Sequence, residues 1–167
     1  FYRSGLCSRY VSNEHLDICS DEKARTFNLI TNMKVDVIIP IYNPNKWLFE
    51  AIDSVVQQTH KNWHIYLVDD CSPGASEILD EVQDLCKTKS NKMTFLRLPK
   101  NQGPDIAKNY GVEKGNGEFV SFLDQDDKWL PQRLERLLDI INIDSEIGLV
   151  HSNIEGIDKE NRLSSDY

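Results

Sequence analysis

The feature that most constrains this sequence is an alternation of two patterns that begins at residue 34. Short runs rich in Val and Ile alternate with amphipathic stretches that begin at Pro, Ser or Asn. The first run, Val35–Ile41, is nearly continuous in Val and Ile, as expected of a strand that helices cover on both faces. The alternation predicts an α/β fold with a mostly parallel, open sheet and helices on both faces. The predicted strands are 35–41, 63–68, 94–98 and 118–123, with a short run at 147–150, and the predicted helices are 47–56, 78–85, 104–115 and 131–141.

Length and charge exclude several kinds of protein. A chain of 167 residues matches one ordinary domain, and no apolar run reaches the roughly 18 to 20 residues that a bilayer span needs. The net charge of −8 disfavours nucleic acid as a partner, because a polyanion would be repelled. Four cysteines without a C-x-x-C pair are too sparse for a disulfide scaffold, which indicates a reducing, cytoplasmic setting.

Residues 1–32 do not follow the alternation, although Ser20 and the apolar positions after it predict one capped helix. We interpret 1–32 as an N-terminal extension or the tail of a preceding domain, and 33–167 as a partial domain. The chain begins without Met and without a signal-peptide pattern, so we expect it to be a piece of a longer protein.

Polar residues follow each of the four predicted strands. Because ligands of open parallel sheets bind outside the carboxyl ends of the strands, these four ends are best interpreted together. The polar segments are Tyr42-Asn43, Asp69-Asp70, Asn101-Gln102-Gly103 and Asp124-Gln125-Asp126-Asp127.

The acidic segment after the fourth strand indicates a cation. Neighbouring carboxylates repel each other, and Mg²⁺ or Mn²⁺ relieves that repulsion while sharing its remaining positions with phosphate oxygens. The segment therefore predicts a metal and a phosphorylated ligand. An alternative is that Asp126 and Asp127 only cap the following helix while the other acidic residues are solvated.

Two common phosphate-binding motifs are absent from the sequence. A dinucleotide site needs G-x-G-x-x-G after the first strand, where this chain has Tyr42-Asn43-Pro44-Asn45-Lys46-Trp47. No G-x-x-x-x-G-K-[ST] run exists either.

Five segments together resemble the nucleotide-sugar-binding half of the family 2 glycosyltransferases, which have the GT-A fold. The resemblance covers residues 34 to about 151 and implies a GT-A type sheet that is truncated before the acceptor-binding part. The segments are Val37–Asn43, Ser54–Thr59, Leu67–Ser72, Asn101–Gly103 with Ala107–Gly111, and Phe122–Asp127.

The resemblance implies roles for particular residues. Tyr42 would stack on the nucleobase, most often uracil, and Pro40 would offer its backbone. Asp70, with Asp69 beside it, would accept a hydrogen bond from the base. The implied substrate-binding set is Pro40, Tyr42, Asp69, Asp70, Asn101, Lys108, Asp124, Gln125 and Asp126, with Asp126 and Asp124 as the ligands of Mn²⁺ or Mg²⁺.

Lys108 departs from the family pattern, because many relatives have Arg before the corresponding Asn. Lysine keeps a positive charge for a diphosphate but loses the planar fork of arginine. Two interpretations stay open, a phosphate contact and a solvated helix face.

The resemblance implies an inverting transfer of a sugar from a nucleoside diphosphate sugar, UDP-linked, to a glycan or lipid-linked acceptor in surface polysaccharide assembly. The general base usually comes from a later segment, so we expect this chain to bind the donor but to transfer poorly. We expect membrane association, at the inner face, only through segments that this sequence does not contain. The alternatives are a non-catalytic nucleotide-binding module and a nucleotidyltransferase.

Several other residues have ordinary interpretations. His60 and His64 are expected at the surface or a strand edge rather than on zinc, and Cys71 has no activating histidine nearby in sequence. Trp129 either lies over the sugar site or packs so that it anchors the last helix, and the structural packing role is favoured. Trp47, Phe95 and Phe122 are predicted to be core residues.

Overall fold

A computed structural model describes residues 2–3, 32–74, 76–144 and 146–156 of the chain. Within these residues, four strands alternate with four helices as the sequence predicts, and a fifth, two-residue strand near the N-terminus was not predicted. The strands are β1 (Tyr2–Arg3), β2 (Val35–Ile41), β3 (Trp63–Asp69), β4 (Met93–Arg97) and β5 (Phe119–Phe122). The helices are α1 (Trp47–Val56), α2 (Glu77–Thr88), α3 (Pro104–Lys114) and α4 (Arg133–Ile143).

The strands form one sheet in the order β1-β5-β2-β3-β4. Strands β2 to β5 are parallel, and β1 pairs antiparallel with the outer edge of β5. The register places Ile41 opposite Asp69, and Asp69 opposite Arg97, so the carboxyl ends of three neighbouring strands coincide. This alignment brings the loops that follow the strands to one edge.

Helices cover both faces of the sheet, which confirms the predicted architecture. The larger core lies between one face of the sheet and α1, α2 and α4, with Leu48, Val82 and Leu138 among its buried residues. On the other face, α3 packs on a smaller core that includes Ile38 and Val68. Strand β2 is buried along its whole length, as its run of Val and Ile predicts.

Local signals explain where the helices begin. The Asn45 side chain accepts a hydrogen bond of 2.8 Å from the amide of Trp47, at the start of α1. Ser76 accepts from the amide of Leu79 at the start of α2. Pro104 occupies the first turn of α3, where its missing N–H costs nothing.

Residues 147–150 form no strand, and only an isolated bridge is present at Leu149. The helix predicted after Ser20 lies outside the described residues.

The prediction of core positions was wrong for two aromatic residues. Trp47 and Phe122 are each 39% exposed, whereas Phe95 packs against the larger core. Trp47 is the first residue of α1 and Phe122 the last residue of β5, so both stand at the rim of the sheet, where the cover of the helices ends.

The expectation for the histidines was also wrong. His60 is 5% exposed, and its Nε2 lies 2.9 Å from the carbonyl oxygen of Met33. His64 is half-buried on β3, between two other strands, with its Nε2 2.9 Å from the hydroxyl of Thr94. Desolvation by burial is the main reason that the pKa of each imidazole is lowered from its ordinary value.

Helix α3 approaches the sheet closely at Gly111. A Cβ atom at this position would lie 2.5 Å from Cγ2 of Ile38 and 3.1 Å from Cγ2 of Val68. Because Ile38 is fully buried, it has little room to move away.

We expect Gly111→Ala to destabilise the fold. Overpacking lowers the free energy of unfolding by roughly 1 to 3 kcal/mol, while the better helix propensity of alanine raises it by about 1 kcal/mol. Urea unfolding measures the difference, with the exposed Glu113→Ala on the same helix as the matched control, for which we expect a change within about 0.5 kcal/mol. An unchanged or raised stability of Gly111→Ala would contradict the close packing.

The buried histidines predict how stability depends on pH. Because the pKa of His60 and His64 is lower in the folded protein, the unfolded chain takes up protons first as the pH falls below about 6.5. As the pH is lowered from about 6.5 towards the lowered pKa values, the free energy of unfolding should therefore decrease. Above about pH 6.5, these two histidines should not change it. Unfolding curves from pH 8 to pH 5 should show a shallower decline for the double variant His60→Gln, His64→Gln. An equally steep decline in that variant would assign the effect to other groups.

Candidate active site

Four loops meet at the carboxyl edge of the sheet, and hydrogen bonds join them to one another. They follow β2, β3, β4 and β5, as the sequence predicts. The backbone of Tyr42, after β2, bonds twice to the side-chain amide of Gln125, after β5. The Tyr42 amide donates to Oε1 at 3.2 Å, and Nε2 donates to the Tyr42 carbonyl oxygen at 3.0 Å. The aromatic side chain of Tyr42 is thereby held beside the acidic loop, and it is 46% exposed.

The Asp70 carboxylate joins the loop after β3 to the loop after β4. Its Oδ1 accepts from the amide of Gln102 at 2.8 Å, and its Oδ2 accepts from the amide of Gly103 at 2.7 Å. Gly103 has φ +91°, a conformation that favours glycine, and it directly precedes α3. Asp70 therefore fixes the start of α3 at this edge.

The Asp69 carboxylate is fully buried and binds side chains of its own surroundings. Its Oδ1 accepts from the hydroxyl and the amide of Ser72, and its Oδ2 lies 3.2 Å from Nη1 of Arg97. Nη2 of Arg97 also donates to the Ser72 carbonyl oxygen at 2.9 Å. The structure thus places Asp69 beneath the surface rather than at the crevice, in contrast to the prediction that it lines the ligand.

Two residues beside this network adopt left-handed backbone conformations. Asn43 has φ 48° and Cys71 has φ 58°. The amide of Asn43 donates to the Ser72 hydroxyl at 2.9 Å, which links the loop after β2 to the loop after β3. Strained backbone of this kind persists when the surrounding contacts hold it, and here it lies next to Tyr42 and Asp70.

The acidic loop after β5 carries Asp124, Asp126 and Asp127, all of them exposed. Nζ of Lys108, on α3, lies 2.8 Å from Oδ1 of Asp124. Desolvation, followed by repulsion from Asp124 and Asp126, raises the pKa of Asp127 above its ordinary value. The loop therefore concentrates negative charge that Lys108 partly offsets.

The donor set of this loop fits a hard divalent cation. Carboxylate oxygens suit Mg²⁺ and Mn²⁺, which keep several waters and commonly take one or two carboxylates together with phosphate oxygens. Among the described residues, no group of three or more His, Cys, Asp or Glu side chains is arranged to enclose a metal on its own. A cation bound at this loop would therefore take its remaining positions from water or from a ligand.

Gln58 supports the acidic loop, and the sequence analysis did not single it out for this role. Its side chain is fully buried; Nε2 donates to the carbonyl oxygens of Ser54 and Leu130, and Oε1 accepts from the amide of Leu134. It therefore ties the end of α1 to the segment after the acidic loop and caps α4. A polar residue after a helix gives no sequence signal for such a role, because the partners beyond the acidic loop, Leu130 and Leu134, lie more than 70 residues away.

Trp129 anchors the last helix, which confirms the favoured packing interpretation. Its side chain packs against the larger core, and the guanidinium of Arg133 lies 4.4 Å above its ring centroid. Arg133 also approaches the hydroxyls of Ser121 and Ser152, each at 3.3 Å. Burial lowers the pKa of Arg133 to about 10, which leaves it charged at neutral pH.

The predicted site residues divide into two layers. Tyr42, Asn101, Asp124 and Asp126 are exposed at the edge, while Pro40, Asp69 and Asp70 are buried below them. Gln125 and Lys108 are half-buried and contact other site residues, so Lys108 is not a solvated helix residue. Direct contacts join Tyr42 to Gln125 and Lys108 to Asp124, while Asp69 and Asp70 bind residues of the loops and strand beside them.

Among the described residues, no helix is long and apolar enough to cross a membrane.

The family model for glycosyl transferase family 2 matches residues 36–166. A glycosyltransferase of Rickettsia bellii is 34% identical over 134 residues, which is 80% of this chain and 19% of that protein. TuaG of Bacillus subtilis, whose name assigns it to teichuronic acid biosynthesis, is 35% identical over 115 residues, 67% of this chain and 44% of that protein. The chain thus spans less than half the length of these curated relatives.

Solved structures share the fold. Residues 1–349 of S. aureus TarS, in complex with UDP-GlcNAc, match with a TM-score of 0.59 and 29% identity over 66% of this chain and 32% of that one. A mannosyltransferase of Pyrobaculum calidifontis, in complex with GDP-Man and Mn²⁺, matches with a TM-score of 0.55 and 21% identity over 72% of this chain and 38% of that one. The neighbours are GT-A glycosyltransferases, which confirms the predicted fold class. With its sheet, its site edge and its family match in agreement, this chain belongs to glycosyltransferase family 2.

Proposed function

We propose that the carboxyl edge of the sheet binds the donor of an inverting glycosyl transfer, a UDP-linked sugar held with Mn²⁺ or Mg²⁺. The observation that carries the proposal is that an aromatic side chain, a lysine and an acidic loop meet at one edge. The Tyr42 backbone is hydrogen-bonded to Gln125, and Lys108 forms an ion pair with Asp124. A nucleoside diphosphate sugar offers an aromatic base, a diphosphate and hydroxyls, and each has a matching group here.

The base end of the donor would lie at Tyr42 and Asp70. The exposed ring of Tyr42 offers a surface on which a base can stack. Each Asp70 oxygen accepts one backbone amide and keeps a lone pair with which to accept the N–H of a uracil. We assign Asp69 a supporting role, because its contacts with Ser72 and Arg97 keep it buried.

The diphosphate end would lie between Lys108 and the acidic loop. We assign Asp126 as the first ligand of the cation and Asp124 as a second ligand or a contact to its waters. When bound, the cation would neutralise charge that develops on the leaving diphosphate. Lys108 would supply a point charge to the same phosphates, and Asn101, exposed after β4, lies on the edge that the ribose or sugar would reach.

The relatives support the class of substrate. TarS was solved in complex with UDP-GlcNAc, and the name of TuaG refers to teichuronic acid biosynthesis. We therefore propose a UDP-sugar donor and a glycan or lipid-linked acceptor in surface polysaccharide assembly. The match from residue 36 supports a donor-binding domain over 33–167 with an extension before it. The free thiols of Cys71 and Cys86 support a cytoplasmic setting.

Calorimetry tests the metal-linked part of the proposal. Titration of UDP into the protein should show tighter binding with Mn²⁺ than without it, and Asp126→Asn should remove most of that enhancement because the cation loses its first ligand. Glu81→Gln, an exposed carboxylate on α2, is the matched control and should behave like the unchanged protein. Absence of UDP binding with and without Mn²⁺ would instead favour a module that does not bind nucleotides.

Asp70→Asn tests the base end. The amide can accept from only one of the two backbone N–H groups, which leaves the other opposite an NH₂ and should cost roughly 1 to 3 kcal/mol of stability. We expect UDP affinity to fall, and the loss should be smaller for inorganic pyrophosphate, which has no base. Equal losses for the two ligands would contradict base recognition by Asp70.

A further inference from the structure

The ion pair between Lys108 and Asp124 joins two groups that the proposed donor site assigns to different ligands. Lys108 comes from α3 and Asp124 from the loop after β5, and their charged atoms are 2.8 Å apart. The Lys108 side chain is 25% exposed and that of Asp124 is 54% exposed. The ammonium group thus lies at the rim of the crevice rather than inside the core.

The negative charge of the acidic loop explains why the Lys108 ammonium group lies beside Asp124. Three carboxylates, Asp124, Asp126 and Asp127, occur within four residues, and like charges this close together repel one another. Lys108 reduces that repulsion, because its ammonium group lies 2.8 Å from Oδ1 of Asp124. The ammonium group is paired with Asp124, the carboxylate that the proposed cation would contact directly or through its waters.

We propose that Lys108 is an exchangeable counter-ion: it pairs with Asp124 until a divalent cation binds there, and it then transfers to the diphosphate, so that cation and nucleotide bind cooperatively. The proposal rests on the proposed function and adds a coupling between its two ligands. No covalent step is involved, and only non-covalent contacts exchange.

The cooperativity follows from counting which charges are compensated. A divalent cation that binds alone displaces the ammonium group from Asp124. The loss of that ion pair makes the binding free energy of the cation less favourable. A diphosphate that binds alone attracts the ammonium and leaves the acidic loop uncovered beside an anion. When both bind, every one of these charges has a partner, so each ligand improves the affinity for the other, by the same factor in both directions.

Lysine suits this exchange better than arginine. Its ammonium group is a compact point charge with three rotatable donors on a flexible stem, so it can change partners without a fixed bidentate geometry. The ring of Phe122, 6.0 Å from Nζ, adds an apolar surface along which the stem can move. The exchange therefore needs side-chain rotation alone.

The test is calorimetry with MnCl₂ alone, UDP alone, and UDP in saturating MnCl₂. In Lys108→Met, we expect Mn²⁺ alone to bind about 2- to 5-fold more tightly, the range for an exposed ion pair, while UDP with Mn²⁺ binds more weakly. The factor by which Mn²⁺ tightens UDP binding should fall by a similar amount. Lys114→Met, at the far end of the same helix and above the ring of Tyr110, is the matched control and should leave all three affinities unchanged.

A double-mutant cycle separates a direct exchange from a general field effect. In an Asp124→Asn background, Lys108→Met should no longer tighten Mn²⁺ binding, because the side chain that pairs with Lys108 has lost its charge. Equal tightening in that background, or an unchanged coupling factor in Lys108→Met, would overturn the proposal. Thermal melts confirm that each variant is folded, and Lys108→Gln provides a second neutral variant. If the unchanged protein binds neither MnCl₂ nor UDP, the proposed function itself fails.

Discussion

The edge of the sheet that carries the site depends on two successive buried carboxylates at the end of β3. A buried carboxylate is costly unless it is hydrogen-bonded or paired. Asp70 meets this requirement with two backbone amides from the loop after β4, and Asp69 meets it with Ser72 and Arg97. Because these partners come from the neighbouring loop and strand, satisfying the two charges fixes the shape of the edge before any ligand contacts it.

Their different roles follow from the geometry of a strand. Successive side chains of a strand point to opposite faces, so Asp69 follows Leu67 toward the larger core, while Asp70 follows Val68 toward α3. The sequence shows two equivalent acidic residues, and helices cover both faces, so hydrophobic patterning cannot distinguish them. The register and the loop after β4 are needed to decide which carboxylate lies nearer the ligand.

The strands could be predicted closely because burial on both faces demands continuous apolar runs. Val35–Ile41 was predicted to the residue, and the crossover helices followed from their spacing and turn residues. The exposure of Trp47 and Phe122 could not be predicted, because it depends on where the helices stop covering the sheet. The contacts of Gln58 and Gln125 depend on partners more than 70 residues away, which local patterns do not encode.

Helix α3 links the packed core of the sheet to a charged side chain of the site. Gly111 lets the helix backbone approach Ile38, and Asp70 holds the residue before its first turn, so both anchor points are fixed by buried contacts. The positive end of the helix dipole consequently faces the crevice, where it favours an anion. Lys108 lies three residues before Gly111 on this fixed helix, yet its ammonium group stands at the solvent rim. In the exchange proposed for Lys108, a fixed helix would present its charge on a rotatable side chain, so the charge balance at this edge would change without movement of the loops that shape it.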